Sequence, residues 1–457
     1  MGERVVVIGG DATGMAAASQ ARRLRDADDL EIVVFEKGHH CSYSACGIPY
    51  WVSGDVDAAD DLIARTPAEH RDRGIDLRLR TEVLDIDPAG RRVRARDLGT
   101  GAQSWTDYDK LVLATGATPV RPPLPGIDAD GVYGVQTLDD GQALIDGLAA
   151  APGREAVVVG AGYIGVEMAE ALVTRGFRVT MVTRGAEPMS SLDPDMGALV
   201  RKAMEGMGIR VVPDAEVTGL PTGADGRVRA VTTADTEYPA DVVVLGIGVR
   251  PATDLARRAG LPLGESGGLL TDLAQRVRGH DEIWAGGDCV EVFDLVSGAL
   301  RYVPLGTHAN KHGQVIGSGV GGGYATFPGV VGTAISRVCD LEVARTGLRE
   351  KDAVRAGLQF HPVTIESTGR AGYFPGAAPM TVKMLAERRT GRLLGVQIVG
   401  RDGAAKRIDT AAVALTARMT VEQVISLDLG YAPPFSPVWD PILVAARAAA
   451  RAVVRGE

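Results

Sequence analysis

The segment Ala156-Val-Val-Val-Gly-Ala-Gly-Tyr-Ile-Gly-Val-Glu167 decides the fold, because a short β-branched run leads there into a glycine-rich turn. Its glycines have the GxGxxG spacing and helix-forming residues follow. In a strand–turn–helix unit, this spacing lets the backbone approach a pyrophosphate at the start of the helix. We therefore predict a dinucleotide-binding fold whose ligand contacts Gly160, Gly162, Tyr163, Ile164, Gly165 and Glu167.

The next strand, Arg178-Val-Thr-Met-Val-Thr-Arg184, indicates which dinucleotide binds. A site selective for NAD carries Asp or Glu at the strand's end, where the acid binds the ribose 2′-hydroxyl and repels a 2′-phosphate. Thr183 and Arg184 instead favour the phosphate, since a guanidinium pairs well with it. We expect NADPH to be preferred, with NADH possible; the alternative is that Arg184 only points to solvent.

A second copy of the pattern lies at the N-terminus, in Arg4-Val-Val-Val-Ile-Gly-Gly-Asp-Ala-Thr-Gly14. Asp11 replaces the middle glycine, which weakens the signal and leaves a plain strand–turn–helix crossover as an alternative. Glu36 strengthens the signal, because it ends the following strand and an acid there accepts hydrogen bonds from ribose hydroxyls. Two dinucleotide sites in one chain imply electron transfer between a nicotinamide and a flavin.

Length and composition limit the number of domains and the classes of partner. A chain of 457 residues predicts two to four domains. The net charge of −9 and the absence of basic runs argue against nucleic-acid binding. No apolar run approaches the roughly 18 to 20 residues of a membrane helix. A strand beginning at Arg4 leaves no room for a signal peptide, so we expect a cytoplasmic protein without a membrane partner.

The segment Cys41-Ser-Tyr-Ser-Ala-Cys-Gly-Ile-Pro-Tyr50 makes a family resemblance specific. It closely resembles the pyridine nucleotide-disulfide oxidoreductase superfamily, in the single-cysteine branch of coenzyme A-disulfide reductases, NADH oxidases and NADH peroxidases. That branch carries an S-x-x-x-C-G-x-P-Y segment, which residues 42–50 reproduce. Further segments that resemble the family, in family order, are residues 113–119, 125–126, 246–251, 285–289, 308–311, 332–333 and 431–436.

The resemblance implies an α/β chain with two Rossmann-like three-layer domains, for FAD and NAD(P), and a C-terminal α+β dimerisation domain. Residues 1–122 and 246–325 would form the FAD domain, 123–245 the NAD(P) domain and 326–457 the dimerisation domain, with no rhodanese-like domain appended. FAD would contact Gly9, Gly10, Gly14, Glu36, Ser42, Val83, Thr115, Gly116, Asp288 and Ala309, and Gly248 would join the NAD(P) site.

The resemblance also implies the chemistry. Cys46 would act as a thiolate, because the thiolate is the nucleophilic form of cysteine. It would attack a small disulfide or persulfide, coenzyme A (CoA) disulfide being the first choice, and form a mixed disulfide. Tyr373 and Tyr431 of the partner subunit in a homodimer would protonate the departing thiolate, or alternatively serve only in packing.

Family positions for CoA binding are Ser42, Gln20, Arg23, Arg71 and Asn310. The chain departs from the family at Ala45, where asparagine is common, and at Trp439, where lysine is common. Losing a charge-assisted phosphate contact costs roughly 1.5 to 3 kcal/mol, enough to change the preferred substrate. Trp439 offers instead a ring on which an aromatic or apolar substrate can stack.

Several alternatives stay open. An NAD(P)H oxidase or peroxidase of the same family is one, although those enzymes usually carry a histidine at the position of Ala12. A non-catalytic redox sensor is another. Cys41 is either a small apolar filler or the partner of Cys46 in an internal disulfide. A metal site is disfavoured, and Cys289 and Cys339 are expected to be structural.

Overall fold

In the computed structural model, which describes residues 2–456, residues 3–119 form eight strands and three helices. Met1 and Glu457, which begin and end the expected outer domains, lie outside it. In chain order the elements are β1 (Glu3–Ile8), α1 (Ala12–Leu24), β2 (Leu30–Phe35), α2 (Ile48–Ser53), α3 (Pro67–Asp72), β3 (Ile75–Arg78), β4 (Thr81–Asp87), β5 (Arg92–Asp97), β6 (Gln103–Asp107), β7 (Lys110–Leu113) and β8 (Ala117–Pro119).

The next stretch contains the second glycine loop. Its elements are β9 (Val132–Tyr133), α4 (Leu138–Ala149), β10 (Glu155–Val159), α5 (Tyr163–Thr174), β11 (Arg178–Val182), α6 (Pro194–Gly206), β12 (Arg210–Val212), β13 (Ala230–Thr232), β14 (Glu237–Pro239) and β15 (Val242–Leu245). Five of these strands form a parallel sheet in the order β12-β11-β10-β15-β9. The run Val157–Val159 is buried, as expected for a parallel strand covered on both faces.

The chain then returns to the first sheet. The elements are β16 (Val249–Pro251), α7 (Asp254–Arg258), β17 (Ile283–Ala285), β18 (Val292–Phe293), β19 (Leu300–Arg301) and α8 (Gly306–Val320). β17 completes a five-stranded parallel sheet in the order β17-β7-β1-β2-β3. Val5 and Val7 pack towards α1 and α8, whereas Val6 and Ile8 pack towards β4 and β5, which gives three layers.

The C-terminal part is antiparallel. It comprises β20 (Ala334–Val338), β21 (Leu341–Gly347), α9 (Glu350–Arg355), β22 (Phe360–Thr368), β23 (Pro379–Glu387), β24 (Leu393–Gly400), α10 (Ala404–Thr416), α11 (Val421–Ile425) and α12 (Pro441–Arg455). Its five strands run in the order β20-β21-β24-β23-β22. The expected fold class is confirmed, while the domain bounds stay predictions.

A buried lysine joins the unit that contains β10, β11 and α6 to this C-terminal part. Lys383 on β23 is 4% exposed, and its Nζ lies 2.7 Å from Asp195, 3.3 Å from Asp193 and 2.5 Å from Glu350. Asp193 and Asp195 lie at the start of α6, and Glu350 begins α9. A buried ammonium needs such partners, because an unpaired buried charge costs several kcal/mol.

Within residues 2–456, no helix has both the length and the apolar character that crossing a bilayer requires.

Candidate active site

One cavity of about 2240 Å³ connects the two glycine loops. Residues of the first loop, of the second loop and of the cysteine segment line the same wall, among them Asp11, Cys46 and Gly162. The carboxyl edges of both parallel sheets open onto this cavity, which is where α/β sheets bind their ligands. The geometry therefore brings Cys46 together with two sites suited to dinucleotides.

The first loop depends on two tight backbone approaches. Gly9 has φ +109°, and a Cβ there would lie 2.1 Å from the carbonyl oxygen of Ala114. A Cβ on Gly14 would lie 1.9 Å from the carbonyl oxygen of Gly9. These contacts hold the N-terminus of α1 at the sheet edge, where free N–H groups and the helix dipole favour a phosphate.

Glu36 lies beside this loop as expected. Its Oε2 accepts a hydrogen bond from the N–H of Gly10 at 2.7 Å, and its Oε1 accepts one from the N–H of Gly38 at 2.6 Å. A carboxylate has about four lone-pair sites, so both oxygens retain capacity for ribose hydroxyls. The residues present therefore fit the adenosine half of FAD.

Asp288 is a second residue whose surroundings suit FAD. It lines the cavity directly after the Gly287 turn, and no side chain or backbone group of residues 2–456 donates a hydrogen bond to its carboxylate. Burial raises its pKa to about 6. A carboxylate held in this way suits a ligand that supplies hydroxyl donors, as the ribityl chain of FAD does.

The remaining expected flavin contacts fall into two groups. Gly116 and Ala309 line the cavity, whereas Ser42, Val83 and Thr115 do not. The Ser42 hydroxyl lies 2.9 Å from Nε2 of His70, and Thr115 donates to the carbonyl of Ala252 at 2.7 Å. Val83 pairs with Ala95 between β4 and β5, and Gly10 lies behind the loop, where a Cβ would lie 2.8 Å from Cβ of Glu36.

The second loop repeats the geometry of the first. A Cβ on Gly160 would lie 2.4 Å from the carbonyl oxygen of Gly246, and one on Gly165 would lie 2.1 Å from that of Gly160. A Cβ on Gly162 would meet nothing within 4 Å, and the same holds for Gly248. Because Gly162 also lines the cavity, its open side is available to a dinucleotide. Tyr163 and Ile164 line the wall beside it.

The end of β11 meets the same cavity. Thr183 and Arg184 both line it; Thr183 is 9% exposed, and Arg184 is exposed and takes part in no ion pair among residues 2–456. Sequence reasoning missed Glu187, which also lines this end and pairs with Arg201 at 2.8 Å. This ion pair offsets the charge of the Glu187 carboxylate.

Cys46 lies in a short 3-10 turn over Ala45–Gly47, just before α2, and its side chain is exposed at the cavity wall. Partial removal of the thiol from water raises the pKa of Cys46, and the carboxylates of Glu167, Asp288 and Asp11 raise it further. Without cofactors, therefore, the thiol is held mainly protonated at neutral pH.

Glu167, whose charge acts on Cys46, is hydrogen-bonded to the C-terminal part of the chain. It lines the cavity and accepts a hydrogen bond from the Ser336 hydroxyl at 2.9 Å. Burial raises the pKa of Glu167, which the Ser336 bond partly offsets. No sequence pattern pointed to Ser336, because Ser336 and Glu167 are 169 positions apart.

All four cysteines are free thiols in the structure. Cys41 is buried, and its Sγ lies 3.8 Å from the carbonyl oxygen of Arg65. Burial and the charges of Asp11 and Glu36 raise its pKa to about 11. A buried thiol this weakly acidic favours the role of apolar filler over that of a resolving thiol.

The expected proton donors and the CoA-binding residues are mostly not brought to Cys46 within one chain. Tyr373 and Tyr431 are 78% and 50% exposed and lie outside the cavity wall. Desolvation, the neighbouring Tyr431 and the hydrogen bond between them raise the pKa of Tyr373. Trp439 is 46% exposed, with the Arg447 guanidinium 4.4 Å from its ring.

Of the positions expected to bind CoA phosphates, Asn310 lines the cavity, while Gln20, Arg23 and Arg71 do not. Arg23 donates to Gln20 at 3.2 Å, and Arg71 donates to the carbonyl of Leu77 at 3.4 Å. Both arginines are exposed and remain accessible to an anion.

Comparisons with known proteins identify the two parts of the chain. The model for pyridine nucleotide-disulphide oxidoreductases matches residues 3–302, and the model for the dimerisation domain of the same proteins matches residues 333–441.

Among curated relatives, an NAD(P)H coenzyme A polysulfide/persulfide reductase of Pyrococcus horikoshii is 37% identical over 450 residues, covering 98% of each chain. An NADH oxidase of Methanocaldococcus jannaschii is 36% identical over 451 residues, covering 97% of this chain and 98% of that protein. A solved structure of an NAD-dependent persulfide reductase from A. fulgidus is 39% identical with a TM-score of 0.95, covering 99% of this chain and 84% of that one.

The raised pKa of Asp288 predicts a pH-dependent stability in the FAD-free protein. The folded value of about 6 lies above the ordinary 3.8. The contribution of Asp288 to the free energy of unfolding is therefore fully present below pH 4 and is lost as the pH rises through 6. Relative to Asp288→Asn, we expect the unfolding free energy of the unmodified protein to fall by at most about 3 kcal/mol from pH 4 to pH 8.

Urea unfolding of both proteins at several pH values measures this difference. Asp128→Asn is the matched control, because that side chain is 83% exposed. A difference between Asp288→Asn and the unmodified protein that stays constant from pH 4 to 8 would contradict the burial of a carboxylate at this position.

Proposed function

The chain belongs to the pyridine nucleotide-disulphide oxidoreductase family, a family of FAD- and NAD(P)H-dependent enzymes, and we propose that it reduces CoA disulfide or a CoA persulfide through Cys46. One observation carries this proposal: Cys46 is exposed in the same cavity as both glycine loops. A nucleophile placed there has access to electrons from the cofactors and to a substrate from solvent.

FAD bound at the first glycine loop would supply the two-electron link between the nicotinamide and sulfur. The Cys46 thiolate attacks one sulfur of the substrate disulfide, forms a mixed disulfide and releases the other half as a thiolate. Two electrons then cleave the mixed disulfide, which frees the second thiol and restores the Cys46 thiolate. The balance is one disulfide, one NADPH and one proton consumed, and two thiols and one NADP⁺ produced.

Each released thiolate needs a proton, and Tyr373 and Tyr431 are our candidates for its donors. Because these exposed hydroxyls lie outside the Cys46 cavity of their own chain, we assign them to the Cys46 of a second copy in a homodimer. The match of residues 333–441 to a dimerisation domain supports this assembly.

For the substrate's phosphates we propose Asn310 at the cavity wall, with Ser42, Gln20, Arg23 and Arg71 further out. Trp439 and Ala45 replace the polar residues common in the family, so fewer charges bind a phosphate there. A CoA persulfide and CoA disulfide share the same nucleotide and pantetheine groups, and the P. horikoshii relative is named for CoA polysulfide and persulfide.

As reductant we propose NADPH, with NADH accepted less well. Arg184 is exposed, takes part in no ion pair among the described residues and follows the end of β11, where a 2′-phosphate would lie. Glu187 lines the same end but is paired with Arg201 at 2.8 Å, so its charge opposes a phosphate less than a free carboxylate would. The four free thiols suit a reducing compartment, and we place the protein in the cytoplasm.

The main competing function is NAD(P)H oxidase activity, since the M. jannaschii relative is named an NADH oxidase. In this chain Ala12 lines the cavity at the position where family oxidases usually carry a histidine. A methyl group cannot relay protons to peroxide or oxygen, which favours disulfide reduction. A flavoprotein redox sensor without turnover is the third possibility.

Replacing Cys46 by serine tests the proposal directly. We expect Cys46→Ser to abolish thiol release from CoA disulfide while NADPH still reduces the flavin, because only the sulfur step is lost. Anaerobic NADPH titration followed by stopped-flow addition of CoA disulfide measures both steps.

Cys41→Ser is the matched control and should keep most of the activity, since Cys41 is a buried free thiol. Fast reoxidation by oxygen with none by CoA disulfide would sink the reductase proposal in favour of the oxidase. Slow reoxidation by both would favour the sensor.

Subunit mixing tests the placement of the tyrosines. We expect Cys46→Ser homodimers and Tyr373→Phe/Tyr431→Phe homodimers each to be nearly inactive in disulfide reduction. After unfolding and refolding together, mixed dimers contain one complete site, so about a quarter of the wild-type activity should return. No recovery, with mixed dimers confirmed by native mass spectrometry, would place the tyrosines with the Cys46 of their own chain.

Coenzyme preference depends on Arg184. We expect Arg184→Gln to lower kcat/KM for NADPH by about tenfold to a hundredfold, because one charge-assisted phosphate contact is lost. The value for NADH should change little. Steady-state flavin reduction with each coenzyme measures the ratio.

Arg178→Gln is the matched control, since Arg178 begins the same strand, is 75% exposed and pairs with Glu155 at 2.5 Å. Equal losses for NADPH and NADH in Arg184→Gln would mean that Arg184 does not contact the 2′-phosphate.

A further inference from the structure

Asp11 occupies the position of the middle glycine in the first loop, and the structure shows where its carboxylate lies. Asp11 precedes α1 and lines the cavity that contains Cys46. Its side chain makes no capping bond to the helix. Instead, Oδ1 accepts a hydrogen bond from the backbone N–H of Tyr43 at 3.2 Å.

A second hydrogen bond joins the glycine loop to the cysteine segment, because the N–H of Ser42 donates to the carbonyl of Gly10 at 3.2 Å. The N–H of Ser44 donates to the carbonyl of Leu62 at 2.8 Å, outside the glycine loop. The 3-10 turn that carries Cys46 begins at the next residue, Ala45. Asp11 thus holds the backbone at Tyr43, three residues before Cys46, against the first glycine loop.

The surroundings of Asp11 are acidic. The charged groups that act on it are Glu36 at the end of β2 and Asp288 at the Gly287 turn, while those that act on Cys46 are Glu167, Asp288 and Asp11. Asp11 belongs to no ion pair within residues 2–456, so no cation cancels its charge. A nearby negative charge opposes formation of a thiolate.

We propose that Asp11 is a positioning residue for Cys46: its carboxylate oxygen holds the cysteine segment against the first glycine loop and places a negative charge in the cavity that Cys46 lines. The inference rests on the proposed function, in which Cys46 is the nucleophile. It adds a second determinant of that nucleophile's reactivity, in a loop whose glycines otherwise serve dinucleotide binding.

Burial, with contributions from Glu36 and Asp288, raises the pKa of Asp11 to about 6. Above pH 7 the carboxylate is therefore mostly charged, and its effect on Cys46 is present in the range where a thiol titrates. Asp11 also contributes to the free energy of unfolding. This contribution is fully present below pH 4 and is lost as the pH rises through 6.

Two substitutions separate the two effects. Asp11→Asn keeps an oxygen that accepts the Tyr43 N–H but removes the charge, whereas Asp11→Ala removes both. The measurement uses the FAD-containing, NADPH-reduced enzyme under anaerobic conditions. The rate at which iodoacetamide alkylates Cys46 is followed by peptide mass at each pH, with Cys46→Ser as the background.

In Asp11→Asn we expect the midpoint of the alkylation profile to fall by about half a pH unit to one unit, which gives about threefold to tenfold more thiolate at pH 7. Hydrogen exchange of the amides of residues 42–46 should stay unchanged in Asp11→Asn and become faster in Asp11→Ala. Asp139→Asn, an exposed acid paired with His39 at 2.7 Å, should change neither.

An unchanged or higher midpoint in Asp11→Asn would overturn the electrostatic part, and equal exchange in the two Asp11 variants would overturn the positioning part. These outcomes are separate from failure of the proposed function. That failure would appear as disulfide turnover retained in Cys46→Ser, whereas the alkylation midpoint is read on Cys46 whatever the turnover.

Discussion

The close approach of helix to strand in the two glycine loops is the constraint on which the site depends. In each loop a Cβ on the last glycine would lie about 2 Å from the carbonyl oxygen of the first glycine, at 1.9 Å for Gly14 and 2.1 Å for Gly165. Only glycine lets the helix start so near the sheet edge. This approach presents free N–H groups to a phosphate at each loop, and the two loops face one shared cavity.

That constraint also explains what could be predicted from the sequence. Strand–turn–helix units are local, so GxGxxG spacing and a terminal acid were enough to predict two parallel sheets and the position of Glu36. The cysteine segment identified the branch of the family. These predictions depend on residues near one another in the chain, where spacing alone fixes the geometry.

The contacts that adjust the site connect residues far apart in the chain, and no spacing in the sequence predicts such contacts. Ser336 reaches Glu167 across 169 positions, and Lys383 reaches Asp195 across 188. Asp11 was visible as a departure from the glycine pattern, but its bond to Tyr43 depends on how residues 42–46 fold back over the loop. The tyrosines illustrate a further limit, because their proposed partner is the Cys46 of another chain.

The exposed face around these tyrosines links assembly to chemistry. Tyr373, Phe435 and Val438 are 78%, 77% and 67% exposed, and Trp439 lies beside them in the chain. Large apolar side chains grouped on a surface usually mark an interface. If a second copy covers this face, burial would raise the cost of losing either hydroxyl, since an unsatisfied buried polar group is costly. Substitutions there would then alter both dimer stability and proton delivery, whereas substitutions at Asp11 would act within one chain, on Cys46 and on the segment that carries it.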